Sequence, residues 1–329
     1  MKRIAINGFG RIGRAALKIL MEDTDCEIVA VNDLMPIESA SYLLKYDSVY
    51  GIYDKEVSVA NDKLKVGEHL IHFFNEKDPA QLPWKENAVD IVIESTGFFT
   101  KREDAEKHIH AGATNVIISG PTKSKDTPMV VHGVNTTEGK TAIFSCASCT
   151  TNNISPVVEI LGRRIGIQKA ILNTIHAYTA SQSLVDGSSK KNPRMGRAGA
   201  INLVPTSTGA AIATTKVLPE FEGKFDGVAI RTPVPVGSVS DVTFIASRST
   251  SPEEINKILQ EEATTDRYAE VLDVTHEPIV SSDIKQNTYA SVVDASMTRV
   301  VDGDLVKLMI WYDNEWGFTS QMIRQLKEI

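Results

Sequence analysis

Arg3-Ile4-Ala5-Ile6-Asn7-Gly8-Phe9-Gly10-Arg11-Ile12-Gly13 decides the fold. Residues 3–6 read as a buried strand, and Ile12, Ala16, Ile19 and Leu20 then mark one face of a helix. Between them Gly8, Gly10 and Gly13 make a G-x-G-x-x-G run in the strand-to-helix setting that gives the motif its meaning. Gly8 allows the tight turn, Gly10 lets the backbone approach a pyrophosphate, and Gly13 lets helix and strand pack closely. The helix N-terminus adds free N–H groups and the positive end of its dipole. A glycine-rich turn with no ligand is the plain alternative, and Asp33 argues against it. It ends the next strand, residues 27–32, near the roughly 20-residue separation at which a carboxylate takes the adenosine ribose. A carboxylate there accepts from ribose hydroxyls and repels a 2′-phosphate, so NAD is expected over NADP.

The alternation continues outward. Residues 90–94, 115–119 and 141–145 are β-rich, and 101–111 is helical in character. Strands separated by helices imply βαβ units and a doubly wound, mostly parallel sheet. Residues 55–74 break the rhythm, and turn signals at Asn61-Asp62 and Gly67-Glu68 predict a small antiparallel excursion. Thr96-Gly97 and Ser119-Gly120 fall at C-terminal strand ends, outside which ligands lie in an open α/β sheet. Taken alone, each is as well explained by turn chemistry.

The second half reads differently. A helix is predicted over 149–165, with Ile154, Val157, Val158 and Leu161 on its apolar face. Long β-rich runs at 169–179, 227–247 and 291–313 predict a mostly antiparallel sheet against helices, an α+β arrangement. Residues 180–205 are rich in Ser, Gly, Lys and Arg, and a loop that long inside a compact domain is usually functional. The tail, 315–329, carries Trp316, Met322, Ile323 and Leu326 at helical spacing.

A chain of 329 residues suggests about two domains, and 42% hydrophobic with 23% charged residues is ordinary globular composition. The net charge of −7 disfavours nucleic acid as a main partner but leaves room for a basic pocket that takes a small anion. Three cysteines, Cys26, Cys146 and Cys149, do not make a secreted disulfide framework. No leader-like apolar segment follows Met1-Lys2-Arg3, and no stretch approaches the roughly 18 apolar residues of a membrane helix. A soluble, cytoplasmic protein is expected, with neither membrane nor nucleic acid as partner.

Cys149 stands at the N-terminus of the predicted helix, where the dipole and free N–H groups favour a thiolate. His176 interrupts an apolar strand pattern further on, and a histidine beside the thiol would lower its pKa and move protons. Taken alone, a buried small residue and a structural histidine explain both positions as well. His69, His72, His108 and His110 add little, and Cys146-x-x-Cys149 lacks the second pair that a zinc site needs.

Taken together, INGFGRIGR, LLKYDSVYG, ESTGFFT, ASCTTN, HAYT, STGAA, VLPE and WYDNEWG resemble the glyceraldehyde-3-phosphate dehydrogenase family over the full length. The resemblance implies that Cys149 attacks the aldehyde of glyceraldehyde 3-phosphate and that His176 accepts its proton. Hydride would pass to NAD, and inorganic phosphate would release the thioester as 1,3-bisphosphoglycerate. It implies a substrate-phosphate site at Thr179 and Arg231, and an inorganic-phosphate site at Ser148, Thr150, Thr208 and Gly209. NAD would contact Arg11, Ile12, Asp33, Lys77, Ser119 and Asn314, besides the glycine turn and Thr96. The expected division is an NAD domain over 1–148, rejoined by the helix 315–329, and a catalytic domain over 149–314. A homotetramer is implied, with the 180–205 loop at a subunit interface.

Some positions depart from the family's pattern. Cys146 stands where Asn is common, and Asn153 where a second cysteine often follows the nucleophile. Cys146 reads either as small buried filler or as a disulfide partner for oxidised Cys149. Ser188 replaces a proline of NAD-specific relatives, so weak NADP use is expected beside NAD. Met195 replaces an arginine found in some relatives near inorganic phosphate, and Phe318 replaces a tyrosine. Erythrose-4-phosphate dehydrogenase and a non-catalytic nucleotide-binding or interaction protein are the rival readings. Intact HAYT and STGAA weigh against the first, and Cys149, His176 and Arg231 against the second.

Overall fold

Gly8 turns the chain at the end of the first strand with φ of +96°, a left-handed conformation that glycine adopts freely. The computed structural model describes residues 1–137, 141–189 and 192–329. They form two compact units. One comprises Met1–Val130, Thr136–Ala147 and Met322–Ile329, the other Val131–Asn135 and Ser148–Gln321.

The first unit contains β1 (Lys2–Asn7), α1 (Arg11–Leu20), β2 (Cys26–Asn32), α2 (Ile37–Lys45), β3 (Tyr46–Asp47), β4 (Gly51–Ile52), β5 (Val57–Ala60), β6 (Lys63–Val66), β7 (His69–Phe74), β8 (Ile91–Glu94), α3 (Arg102–His110), β9 (Asn115–Ile118) and β10 (Ile143–Ser145). Its main sheet runs β10-β9-β8-β1-β2-β7-β6-β5. Every pair from β10 to β7 is parallel, while β7-β6-β5 is antiparallel. This is the predicted doubly wound sheet with its excursion, and Asn61, Asp62 and Gly67 turn in the left-handed region where the turn signals stood. Strands buried on both faces explain the unbroken apolar runs: Ile4, Ile6, Val92, Ile93, Val116 and Ile117 are fully buried. Each such side chain contributes about 1.5–3 kcal/mol on burial. The face of α1 is shifted from the expected one. Ala15, Ala16, Leu17 and Leu20 are buried, whereas Ile12 and Ile19 are partly exposed, because Gly13 rather than Ile12 meets the strand.

The second unit contains α4 (Cys149–Arg164), β11 (Ile167–Ala177), β12 (Val204–Ser207), α5 (Ala210–Val217), β13 (Phe225–Thr232), β14 (Ser238–Ala246), α6 (Pro252–Ala263), β15 (Leu272–Thr275), β16 (Ser291–Asp294), β17 (Arg299–Val301) and β18 (Leu305–Tyr312). Its sheet runs β12-β13-β11-β14-β18-β16-β15, with β17 beside β18. The pairing is antiparallel except β11 with β13 and β15 with β16. Helix α4 packs on α5 and α6, with Ile154, Val157, Val158 and Leu161 buried as expected. A final helix, α7 (Trp316–Lys327), contributes its first turns to this unit and its last residues to the other.

Two long β runs are interrupted. Residues 227–247 split into β13 and β14, because Pro233 and Pro235 lack the N–H a ladder needs and Gly237 turns at φ +88°. Residues 291–313 split into β16, β17 and β18 around a 3₁₀ turn, Ala295–Met297, and a left-handed turn at Asp302-Gly303. The 180–205 loop is described apart from residues 190–191, and holds a 3₁₀ turn at Pro193–Gly196. Among the described residues no helix is long and apolar enough to cross a membrane, and no group of three or more His, Cys, Asp or Glu could hold a metal ion.

Candidate active site

In the first unit, connections leave β1 and β8 in opposite directions, which makes the switch point where open α/β sheets bind ligands. A cavity of about 760 Å³ lies there, walled by the C-terminal ends of the parallel strands. Gly8, Gly10, Asp33, Lys77 and Thr96 line it, as do Asn7, Asn32, Phe98 and Phe99. The glycines divide their work. A Cβ on Gly8 would fall 2.5 Å from Thr96 N, and one on Gly13 would fall 2.1 Å from Gly8 O. A Cβ on Gly10 would meet nothing within 4 Å, so the backbone there is open to a close-lying group. Gly10 caps α1 without a side-chain hydrogen bond, at the helix end whose dipole favours an anion.

Asp33 holds the turn as well as facing the cavity. Its Oδ2 accepts from Phe9 N at 2.6 Å and its Oδ1 from Met35 N at 3.0 Å. Each carboxylate oxygen has a second lone pair for a ribose hydroxyl. These residues fit a dinucleotide. Arg11, Ile12, Gly13 and Ser119 do not line the cavity. Arg11 pairs with Asp47 and lies over the Tyr50 ring, and Ser119 N donates to Glu94 O at the end of β9.

In the second unit, Cys149 opens α4. Ser148 caps the helix, its Oγ accepting from Thr151 N at 3.1 Å. Cys149 Sγ lies 3.4 Å from His176 Nε2. The parallel register of β11 on β13 sets His176 opposite Arg231. His176 Nδ1 lies 2.7 Å from Ala177 O, which can only accept, and the tautomer with the ring hydrogen on Nδ1 turns Nε2 to the thiol as acceptor. Arg231 Nη1 donates to the same carbonyl at 3.0 Å and stands 2.6 Å from Nδ1. Arg231 Nε is buried without a hydrogen-bond partner, a donor available to an anion. Tyr312 OH joins Thr150 Oγ1 (2.8 Å) to Thr174 Oγ1 (2.9 Å), and its ring meets His176 edge-on.

Burial opposes the thiolate that the helix N-terminus favours. Burial pushes His176 down to about 3, and the Arg231 charge adds to it against the Ala177 carbonyl. Burial pushes the Cys149 thiol up, while Arg231 and hydrogen bonds from Thr150 pull it back. Burial thus works against charge on each group, while the 3.4 Å contact sets the thiol and the imidazole for proton transfer. Cys146 is 2% exposed, and burial alone raises its thiol.

The remaining expected residues sit on separate elements. Thr179 follows β11 and shares a hydrogen bond with Ser181 Oγ (2.9 Å). Thr208 Oγ1 accepts from Ala210 N at 3.1 Å, beside Gly209 at the start of α5. Neither Thr179, Thr208 nor Gly209 hydrogen-bonds to Cys149, His176 or Arg231 among the described contacts. Asn314 is oriented: Ala177 N donates to Ser238 Oγ, which donates to Asn314 Oδ1, as does Gly237 N. Both of these bonds fall on its oxygen. Tyr312 and, in the first unit, Glu94 and His108 stand out by no local sequence pattern, apart from a glutamate closing the apolar strand Ile91–Glu94.

A dinucleotide cavity together with a thiol facing a buried imidazole defines an NAD-dependent oxidoreductase that works through a cysteine. Family models named glyceraldehyde 3-phosphate dehydrogenase, NAD binding domain, and glyceraldehyde 3-phosphate dehydrogenase, C-terminal domain, match residues 2–102 and 148–314. The chain belongs to the glyceraldehyde-3-phosphate dehydrogenase family. It is 43% identical to glyceraldehyde-3-phosphate dehydrogenase of Clostridium pasteurianum, over 99% of this chain and 98% of that one. It is 45% identical to glyceraldehyde-3-phosphate dehydrogenase 2 of Streptomyces avermitilis, over 98% and 96%. It is 44% identical to glyceraldehyde-3-phosphate dehydrogenase 1 of Candida glabrata, over 98% and 97%.

Proposed function

We propose that this chain oxidises glyceraldehyde 3-phosphate and phosphorylates the product with inorganic phosphate, giving 1,3-bisphosphoglycerate, with NAD as cofactor. The observation that carries the reading is Cys149 Sγ at 3.4 Å from His176 Nε2, behind which Arg231 stands. The Cys149 sulfur adds to the aldehyde carbon while its proton moves to His176 Nε2 and on to the carbonyl oxygen, forming a thiohemiacetal and leaving Nε2 free again. Bound NAD supplies the hydride acceptor. Gly8, Gly10, Asp33, Lys77 and Thr96 would hold it, with Arg11, Ile12 and Gly13 of the motif and Ser119 at the end of β9, and Asn314 would hold the nicotinamide carboxamide through its amide nitrogen. His176 Nε2 takes the hydroxyl proton as the carbonyl reforms. Phosphate oxygen then attacks the thioester carbon, the C–S bond breaks, and Cys149 regains its proton.

Arg231 and Thr179 would bind the substrate phosphate, since a guanidinium with an unpartnered Nε suits a fixed anion. Ser148, Thr150, Thr208 and Gly209 would take the attacking phosphate, through hydroxyls and the N-termini of α4 and α5. Residues 1–148 with the last helix would serve the cofactor, and 149–314 the chemistry. NAD preference with weak NADP use follows from Asp33 set against Ser188. Leu184, Val185, Ile201 and Leu203 are 81%, 73%, 79% and 70% exposed in the 180–205 loop, which supports a homotetramer with that loop at an interface. A cytoplasmic location fits the same reading.

The test is reduction of NAD followed by absorbance, with glyceraldehyde 3-phosphate and phosphate present. Turnover that needs all three, is abolished in Cys149→Ser, and is weaker with erythrose 4-phosphate is expected. A preference for erythrose 4-phosphate, or full activity in Cys149→Ser, would overturn it.

A further inference from the structure

A hydrogen-bonded line of buried side chains lies beneath the nucleotide cavity, and its two ends fix every donor in it. Trp84 Nε1, which can only donate, gives its hydrogen to His108 Nδ1 at 2.9 Å. The hydrogen of His108 is therefore on Nε2, which donates to Glu94 Oε2 at 3.1 Å. From the other end, Glu76 N donates to Asn32 Oδ1 at 2.9 Å. Asn32 Nδ2 then donates to Asn7 Oδ1 at 2.7 Å, and Asn7 Nδ2 to Glu94 Oε2 at 2.5 Å. Phe98 N donates to Thr96 Oγ1 at 3.1 Å, so the Thr96 hydroxyl, like Thr96 N at 2.8 Å, donates to Glu94 Oε1.

Glu94 thus receives donors on all its lone pairs and has none left for a ligand. It is 2% exposed, and neither it nor His108 nor Trp84 lines the cavity, whereas Asn7, Asn32, Thr96 and Phe98 do. We propose that Glu94, held by the Trp84-locked His108, is a positioning residue for NAD that presets the Asn7 and Thr96 edge of the cavity. This rests on the NAD reading of that cavity. A glutamine at 94 has nearly the same shape but one acceptor oxygen only. With that oxygen toward Thr96, its NH₂ meets the hydrogens of Asn7 Nδ2 and His108 Nε2, and Trp84 stops the imidazole from changing tautomer.

The experiment is calorimetric NAD titration of the full chain, with thermal unfolding measured alongside. Absence of NAD binding in the unaltered chain would sink the cofactor reading itself. Given binding there, Glu94→Gln is expected to bind NAD at least about tenfold more weakly while still folded. The swap Asn7→Asp with Glu94→Gln moves the carboxylate to where the glutamine NH₂ and His108 Nε2 both find it, and is expected to bind more tightly than Glu94→Gln alone. Where Glu94→Gln does not fold, His108→Leu, at a residue that does not itself line the cavity, takes its place with an expected loss of about fivefold. An affinity within about twofold of the unaltered chain in the variant that folds, or a swap no better than Glu94→Gln, overturns the proposal.

Discussion

Arg231 Nη1 stands 2.6 Å from Nδ1 of His176, at the ring nitrogen opposite the one that faces Cys149 Sγ. A guanidinium does not lose its proton, so it works against a positive charge on the ring at every pH. With burial, this holds His176 down to about 3. The same cation pulls the thiol down against burial. Arg231 therefore keeps the imidazole free to accept a proton, besides offering an anion its unpartnered Nε.

Arg231→Gln tests this arrangement. Removing a positive charge favours the protonated ring, so the His176 pKa rises from about 3 toward its ordinary 6.5. The inflection that imidazole protonation imposes on Cys149 alkylation by iodoacetamide should move to higher pH. One that stays or moves down contradicts the assignment. In turnover, loss of a charge-assisted hydrogen bond of about 1.5–3 kcal/mol should lower kcat/KM by about 10- to 150-fold.

Asp33 gives a second test, because it combines two jobs. Its oxygens hold Phe9 N and Met35 N, and its charge faces the cavity. Asp33→Asn removes the charge and keeps an acceptor. It should narrow the NAD-to-NADP ratio of kcat/KM by about tenfold, through relief of like-charge repulsion on a 2′-phosphate. Asp33→Ala should narrow it similarly and also lower Tm, since both turn bonds are lost. An unchanged cofactor ratio in both variants would remove Asp33 from specificity.

The second unit carries a charge network whose pH dependence has a definite sign. A hydrogen bond from Arg163 outweighs burial and, with Arg164, holds the Glu262 carboxyl below its usual range. Burial pushes Glu159 up, but bonds from Arg163 and Tyr268 and the charge of Arg267 carry it below. Groups with depressed folded values stabilise the protein above their unfolded pKa, and that stability is lost as pH falls through the folded value. Tm should fall steadily from about pH 5 to pH 3. Glu262→Gln should cost about 1 kcal/mol at pH 7, roughly 2–4 °C, given solvent screening at the arginines, and should flatten the acid limb. An acid limb of unchanged slope would assign it to other carboxylates.

The sequence carried what is local and left hidden what depends on pairing. The glycine run, Asp33 and the helix opening at Cys149 are each spelled within a few residues, because turn geometry and helix capping act over that distance. The meeting of His176 with Arg231 depends on the parallel register of β11 on β13, which no periodicity reveals. The break between β13 and β14 was marked by Pro233 and Pro235, yet β-favouring residues on both sides masked it. His108 lay in a mixed polar stretch, where it added little, and it is fully buried beside Trp84 and Glu94. Its role was legible only once three distant segments met.

The glycine turn offers the sharpest separation of fold from function. Gly8 and Gly13 are closed to a side chain, since a Cβ would fall 2.5 Å from Thr96 N or 2.1 Å from Gly8 O. Gly8 also needs its left-handed φ of +96°. Gly10 has neither constraint, because its Cβ would meet nothing within 4 Å and the cavity lies before it. Gly13→Ala should therefore lower Tm by several degrees, through overpacking worth about 1–3 kcal/mol, whether or not NAD is present. Gly10→Ala should unfold at the unaltered temperature yet bind NAD at least about tenfold more weakly, because the methyl occupies space that a pyrophosphate needs. Thermal unfolding and NAD titration on the two variants decide it. Equal loss of Tm in both would mean that Gly10 serves the turn alone, and tight NAD binding by Gly10→Ala would move the pyrophosphate away from this helix end.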